Sequence, residues 1–159
     1  MKIEIIAVGK VREKYIKLGI DEFKKRLQPY CTLVLTEVRD EQAPDYLNDK
    51  QIELLKEREG ERVLQKINGD ASVIALDVAG GSLSSEGFAQ QLESISNLGK
   101  NHLIFIIGGS HGLDREVIKR ANKTVSFSRM TFPHQLMKLI LLEQIYRAFK
   151  IQRGETYHK

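Results

Sequence analysis

Three short stretches hold residue types whose spacing could do chemistry. The glycine run Gly108-Gly109-Ser110-His111-Gly112 follows the apolar segment Leu103 to Ile107. Leu76-Asp77-Val78-Ala79-Gly80-Gly81 closes another apolar segment, and Ser126-Phe127-Ser128-Arg129-Met130-Thr131-Phe132-Pro133-His134 follows a third. Glycine at the carboxyl end of a strand lets the backbone turn with positive φ and lets a ligand reach main-chain groups that a Cβ would block. In open α/β sheets, ligands bind in the crevice outside those ends. If the three strands are adjacent and parallel, their loops meet at one rim of the sheet. The third loop adds hydroxyls and two aromatic rings, a surface that could grip a purine by main-chain hydrogen bonds and stacking. Plain turns with no ligand, and a connection that buries Phe127 and Phe132 for packing alone, fit the same residues. No stretch matches a Walker loop or a GxGxxG fingerprint, so a phosphate cradle is not favoured.

A second group lies near the C-terminus. Arg147 follows Glu143 by four residues and so shares its helix face. The pair reads either as an exposed i,i+4 contact of about 0.3–0.5 kcal/mol or as a donor aimed at a substrate phosphate or carbonyl. His134, just after Pro133, reads as a group bonding backbone in the first helical turn rather than as a base. Tyr157-His158 stands in a tail too short to pack much core. An aromatic, basic tail suits an unpaired nucleobase, where stacking contributes about 1–3 kcal/mol; fraying is the alternative.

The elements that must position these residues alternate along the chain. Lys2 to Val8 reads as a strand, and Tyr15 to Leu27 has helical apolar spacing that Gln28-Pro29 ends. Cys31 to Val38 is a second strand, and Arg39 to Asp49, with Pro44, is an irregular loop. Lys50 to Ile67 is a charged helix stopped by Asn68-Gly69-Asp70. Ser72 to Val78 is a third strand, closed by Ala79-Gly80-Gly81. Ser84 or Ser85 caps a helix that ends near Gly99, with Glu86 in its first turn. The doubly buried strand Leu103 to Ile107 comes next. Asp114 caps a short helix holding Lys119 and Arg120 in its last turn, Thr124 to Phe127 is the final strand, and a long helix runs from Pro133 to about Arg153, with Gly154 as its stop. The alternation predicts an α/β domain with a mainly parallel sheet and helices on both faces. No linker, repeat or low-complexity segment divides residues 1–159, which read as one domain.

Composition narrows the function classes. Hydrophobic residues at 42% and charged residues at 29% are ordinary for a globular chain and argue against disorder. The single Cys31 excludes an internal disulfide and a multi-Cys metal site, and its apolar neighbours make it a buried structural thiol. No metal is expected. Met1-Lys2-Ile3-Glu4 lacks a signal-peptide core, and no apolar run reaches the ~20 residues of a membrane span, so a cytoplasmic protein without membrane contact is expected. The net charge is +4, but residues 115–159 hold ten Lys/Arg against three acids. That balance suits an anionic partner such as nucleic acid, and equally suits solvated helix faces. The last helix is apolar nearly all round from Leu136 to Phe149. Such a helix is buried, which here predicts a sheet on one side and a second subunit on the other.

Leu76-Asp77, Gly108 to Leu113, Thr131-Phe132-Pro133-His134 and Tyr157-His158 together resemble the RlmH family, small SPOUT-class methyltransferases of the large ribosomal subunit. The resemblance spans the whole chain, including Val8-Gly9-Lys10. It implies S-adenosylmethionine as methyl donor, a homodimer, and as substrate a pseudouridine of 23S rRNA methylated at N3, on the assembled ribosome. It implies donor contacts at Leu76, Gly108, Phe127, Ser128, Arg129, Met130, Thr131 and Phe132. It also favours the functional reading of Tyr157 and His158, which with Arg147 are the expected catalytic residues. It also implies a C-terminal trefoil knot, which generic topology rules would argue against. The family often reads Gly-Gly-Pro/Ala-x-Gly after the fourth strand, so Ser110-His111 departs in detail while leaving the backbone role intact.

With an activated methyl supplied by the donor, the protein must orient the reactants, worth about 7–11 kcal/mol of barrier. It must also assist departure of the N3 proton, worth roughly 10²–10⁴-fold; His134, His158 and Glu143 are candidates by type. Tyr157 and His158 are expected to orient the target base, acting across the dimer. Gly108→Val is expected to place a β-branched side chain against the donor. Two other readings fit the same alternation: a non-catalytic RNA-binding module in ribosome assembly, and a flavin- or nucleotide-binding doubly wound protein.

Overall fold

The computed structural model describes residues 1–159. The elements are β1 (Lys2–Val8), α1 (Lys14–Leu27), β2 (Thr32–Val38), α2 (Asp49–Leu64), β3 (Ser72–Ser82), α3 (Ser85–Asn97), β4 (His102–Ile107), α4 (Arg115–Arg120), β5 (Lys123–Ser126) and α5 (His134–Gln152). They form one five-stranded sheet in the order β2-β1-β4-β3-β5. Every pairing is parallel. The sheet is thus wholly, not mainly, parallel, and the α/β reading stands.

Period-two side-chain alternation divides the strands between two cores. Ile3, Ile5, Leu103, Phe105 and Ile107 face α1, α3 and α5, while Ile6, Val8, Ile104 and Ile106 face α2 and α4. β4 is the middle strand, and Leu103 to Ile107 are all buried. Burying such side chains contributes roughly 1.5–3 kcal/mol each, so the segment that leads into Gly108 is firmly anchored. α5 lies between α1 and α3. Gly19 permits the close approach of α1, because a Cβ there would stand 2.9 Å from both Leu139 methyls. Lys138 of α5 is buried and donates to Glu37 Oε1 at 2.8 Å, tying the start of α5 to β2.

Local signals set most element ends. Asn48 and Gln51 make a reciprocal capping box on α2, Ser84 accepts from the Gly87 N–H, and Asp114 accepts from the Glu116 N–H. Gly154, at φ +65°, follows the end of α5. Several ends differ from expectation. α2 stops at Leu64, three residues short of Ile67, where Gln65 and Lys66 turn out of the helix. Pro133 is the cap before α5 rather than its first residue, with ψ at 135°.

The largest difference is in β3, which continues through Ala79-Gly80-Gly81 to Ser82 instead of ending at Val78. Tertiary pairing extends it: Val125 pairs with Leu76 and again with Gly81, and Ser126 pairs with Ser82. Residues 77–80 therefore bulge between two registers with β5. At Gly80 a Cβ would stand 2.8 Å from the backbone of Thr124 and Val125, so glycine there serves close backbone packing rather than a free turn.

Candidate functional site

The three suspected loops do meet. A cavity of about 360 Å³ opens at the carboxyl ends of β3, β4 and β5. Its apolar wall includes Leu76, Ile107, Leu113, Phe127, Met130 and Phe132; its polar wall comes from Asp77, the 108–112 loop, Ser128 and Thr131. The volume lies within the ~300–1,000 Å³ typical of small-molecule sites.

Each loop is braced before any ligand arrives. The Gly112 N–H donates to the Gly109 carbonyl at 3.1 Å, and Gly112 has φ +86°. A Cβ on Gly108 would stand 2.9 Å from Gly112 C and 3.0 Å from Leu113 Cγ. The cost of a side chain at Gly108 therefore falls on the loop's own closure, a different reason from the expected clash with a ligand. In the third loop, Ser126 Oγ donates to the Ser128 carbonyl at 3.0 Å, and Ser128 Oγ accepts from the Met130 N–H at 2.9 Å. Phe127 meets Phe88 edge-on at 5.8 Å, so α3 fixes the ring that lines the cavity.

Seven of the eight suspected donor contacts line this cavity: Leu76, Gly108, Phe127, Ser128, Met130, Thr131 and Phe132. Arg129 is exposed and forms no part of the wall. Sequence reasoning missed Lys56, which reaches the rim from α2, and Met137, three residues after His134 on α5. A charged helix gives no sign that one lysine faces a distant loop, whereas the i,i+3 relation to His134 could have flagged Met137. His134 itself lines the cavity, and its Nε2 lies 3.1 Å from where a Cβ on Gly9 would be.

Arg147, Tyr157 and His158 come together elsewhere. None lines the cavity. Glu143 is their hub: its Oε1 accepts from Arg147 Nη2 at 2.6 Å and from the Tyr157 hydroxyl at 3.0 Å. Arg147 Nη1 lies 3.1 Å from His158 Nδ1, and His158 Nε2 lies 2.8 Å from Glu86 Oε1 at the start of α3. Tyr157 packs edge-on against Tyr146 at 4.9 Å, beneath the Arg147 guanidinium at 4.8 Å. Glu155 binds Lys150 and accepts from the Tyr30 hydroxyl at 2.9 Å. The tail is thus docked, not frayed.

The electrostatics follow from these contacts. The bond to Glu143 raises the Arg147 pKa. Burial, then Glu143, raises that of the Tyr157 hydroxyl, keeping it a donor. The Glu86 carboxyl is held below the usual range by its own backbone N–H and by His158. Cys31 is half-buried at the edge of the core rather than fully buried as expected, and burial pushes its thiol up to about 11.

A family model described as "Predicted SPOUT methyltransferase" matches residues 1–158. The chain belongs to the SPOUT methyltransferase family. The fold is also similar to a solved structure described as a probable methylase family protein from Haemophilus influenzae Rd KW20, with a TM-score of 0.52 and 14% identity. That match covers 96% of this chain and 66% of the other, so this chain spans just under two thirds of its length. SPOUT methyltransferases use S-adenosylmethionine as methyl donor. The residues present fit it: apolar side chains offer faces to an adenine ring, and glycine-rich backbone offers main-chain groups to its edges. No helix is long and apolar enough to cross a membrane.

Proposed function

We propose that this SPOUT methyltransferase is a cytoplasmic enzyme of the RlmH type, transferring a methyl group to N3 of a pseudouridine in 23S rRNA on the assembled ribosome. Leu76, Gly108, Phe127, Ser128, Met130, Thr131 and Phe132 hold the donor, which supplies an activated methyl on its sulfonium. Arg129, outside the cavity wall, faces solvent and suits the RNA instead. The transfer forms a bond from the methyl carbon to N3, breaks that from carbon to sulfur, and releases the N3 proton.

The observation that carries this reading is the separation of a braced cavity from an ordered Arg147–Tyr157–His158 cluster within one chain. We read the chain as half of a homodimer in which one copy's cluster faces the other copy's cavity. No residue of α5 is fully exposed, yet Leu136, Met137, Leu139 and Ile140 are only half-buried, which supports a second subunit there. Arg147 then offers its guanidinium to a uracil carbonyl or a phosphate, while Tyr157 and His158 orient the base.

Mass spectrometry of rRNA from cells lacking the protein tests the reading. One N3-methylated pseudouridine of 23S rRNA should disappear and return on complementation; an unchanged nucleoside profile overturns the substrate. Light scattering should give a dimer, and a monomer at micromolar concentration overturns the shared site. Calorimetry with S-adenosylhomocysteine should show saturable micromolar binding.

A further inference from the structure

A second cavity, of about 300 Å³, adjoins the first. The two share Gly109, Ser110, His111 and His134, so these residues form a common wall. The far side of the second cavity holds Arg12, Asp40, Glu41 and Glu59. Glu59 lies on α2 and is only 5% exposed. Its Oε2 accepts from the Glu41 N–H at 2.9 Å, while its Oε1 is buried without a partner. A buried carboxyl oxygen left unpaired costs free energy, and structures rarely tolerate one without a reason.

Two further observations point to a ligand that would relieve this cost. Gly109 presses on the carboxylate: a Cβ there would stand 3.3 Å from Oε1 and 3.4 Å from Oε2. One glycine thus separates Glu59 from the loop that lines the first cavity. The charge is also one-sided. Asp40, Glu41 and Glu59 face the space, and Arg12 is the single lysine or arginine among its walls. The nearby Arg62 is held by Glu41 and the Arg39 carbonyl. An anion would meet acids there, whereas an ammonium would find a carboxylate with a vacant oxygen. The terminal torsion of a glutamate is soft, so Oε1 can swing towards a donor.

We propose that Glu59 is the counter-ion for the ammonium group of the methyl donor's amino-acid arm, which passes the Gly109–His111 wall into the second cavity. This rests on the reading that the first cavity holds the adenosyl part. It assigns a ligand contact to a helix that the glycine loops alone would not implicate.

The test compares S-adenosylhomocysteine with 5′-methylthioadenosine, which keeps the adenosine and thioether but lacks the amino-acid arm. Calorimetry should show Glu59→Gln weakening S-adenosylhomocysteine by about tenfold or more, as for a lost charged hydrogen bond, while 5′-methylthioadenosine keeps its affinity. Equal weakening of both ligands would make Glu59 a brace for the loop and overturn the proposal, as would unchanged binding of both. A measurement on the unaltered protein stands beside this: the desamino analogue of S-adenosylhomocysteine should bind at least about tenfold more weakly than its parent, and equal affinity overturns the proposal. If neither S-adenosylhomocysteine nor 5′-methylthioadenosine binds the unaltered protein, the donor site itself fails. If 5′-methylthioadenosine binds and the arm adds nothing, only the role of Glu59 fails.

Discussion

Backbone makes the cavity at the strand ends, whereas side chains make the C-terminal cluster. The cavity depends on Gly108 and Gly112, on turns tied by Ser126 and Ser128, and on the buried run Leu103 to Ile107 of the middle strand behind them. The cluster depends on one carboxylate, Glu143, that gathers Arg147 and Tyr157, and on Glu86, which holds His158 from another helix. A ligand seat must be pre-formed, because ordering backbone on binding costs roughly 1–2 kcal/mol per residue. Groups that meet a large RNA need only be aimed, and long side chains linked by charged hydrogen bonds can do that. The comparison separates binding from chemistry in space, so the two can be damaged separately.

Gly108→Val should have the largest effect. Its side chain has to displace Gly112 or Leu113, an overpacking that costs about 1–3 kcal/mol. S-adenosylhomocysteine binding should become undetectable by calorimetry and methylation should vanish with it. Retained micromolar binding would show that the closure of the 108–112 loop is not what forms the seat.

Deleting residues 155–159 attacks the other region. Methylation of ribosomal substrate should fall by roughly 10²-fold or more, the scale of a misplaced reactant, while S-adenosylhomocysteine affinity stays within about twofold because the cavity contains none of these residues. Full activity in the truncated protein would dissolve the distinction between the two regions. Arg147→Lys should act in the same direction with a smaller effect, about tenfold in kcat. An ammonium cannot span Glu143 and His158 as the planar guanidinium does. A rise in KM for the donor, with kcat unchanged, would place Arg147 on the binding side instead.

How much of this was legible in the sequence depended on which forces set each feature. Leu103 to Ile107 followed by two glycines announced the middle strand and the cavity behind it, because hydrophobic period and glycine chemistry are local. Asp114, Ser84 and Gly154 marked helix ends for the same reason. The continuation of β3 through Ala79-Gly80-Gly81 was not legible, since glycine in a strand is locally unfavourable and only pairing with Val125 and Ser126 holds it there. The docking of Tyr157 and His158 was half legible: their types were informative, but their partners Tyr146 and Glu86 are 11 and 72 residues away. Glu59 was read as one acid in a charged helix. Its burial depends on Gly109 and on the 39–41 segment, and no spacing along α2 reveals either.

Glu59 also gives the comparison its finest test, in pH. Burial, which outweighs the Glu41 N–H, raises its pKa in the folded protein. A raised folded pKa means the contribution to stability is fully present below the unfolded value, near 4.3, and is lost as the pH rises through the folded value. Glu37, Glu86 and Glu155 behave oppositely. For Glu37 burial alone would raise the pKa, but Lys138 prevails and lowers it; Glu86 is lowered by its own N–H and His158, and Glu155 by Lys150 and Tyr30. Their contributions are lost as the pH falls, and they are common to the parent and to Glu59→Gln. Subtracting the two unfolding curves cancels them. The stability of the parent relative to Glu59→Gln should therefore decline as the pH rises above about 4.3, by about 1.4 kcal/mol for each pH unit between the unfolded and folded pKa values, and level off above the folded pKa. Urea unfolding between pH 4 and 8 measures it. Saturating S-adenosylhomocysteine at neutral pH should stabilise the parent more than the variant, by about 1.4 kcal/mol for a tenfold difference in affinity, since its ammonium favours the charged carboxylate. A difference curve that is flat with pH would mean that the Glu59 carboxyl titrates alike in the folded and unfolded chain, so that it is charged and already partnered in the free protein and has no vacant oxygen waiting for a donor.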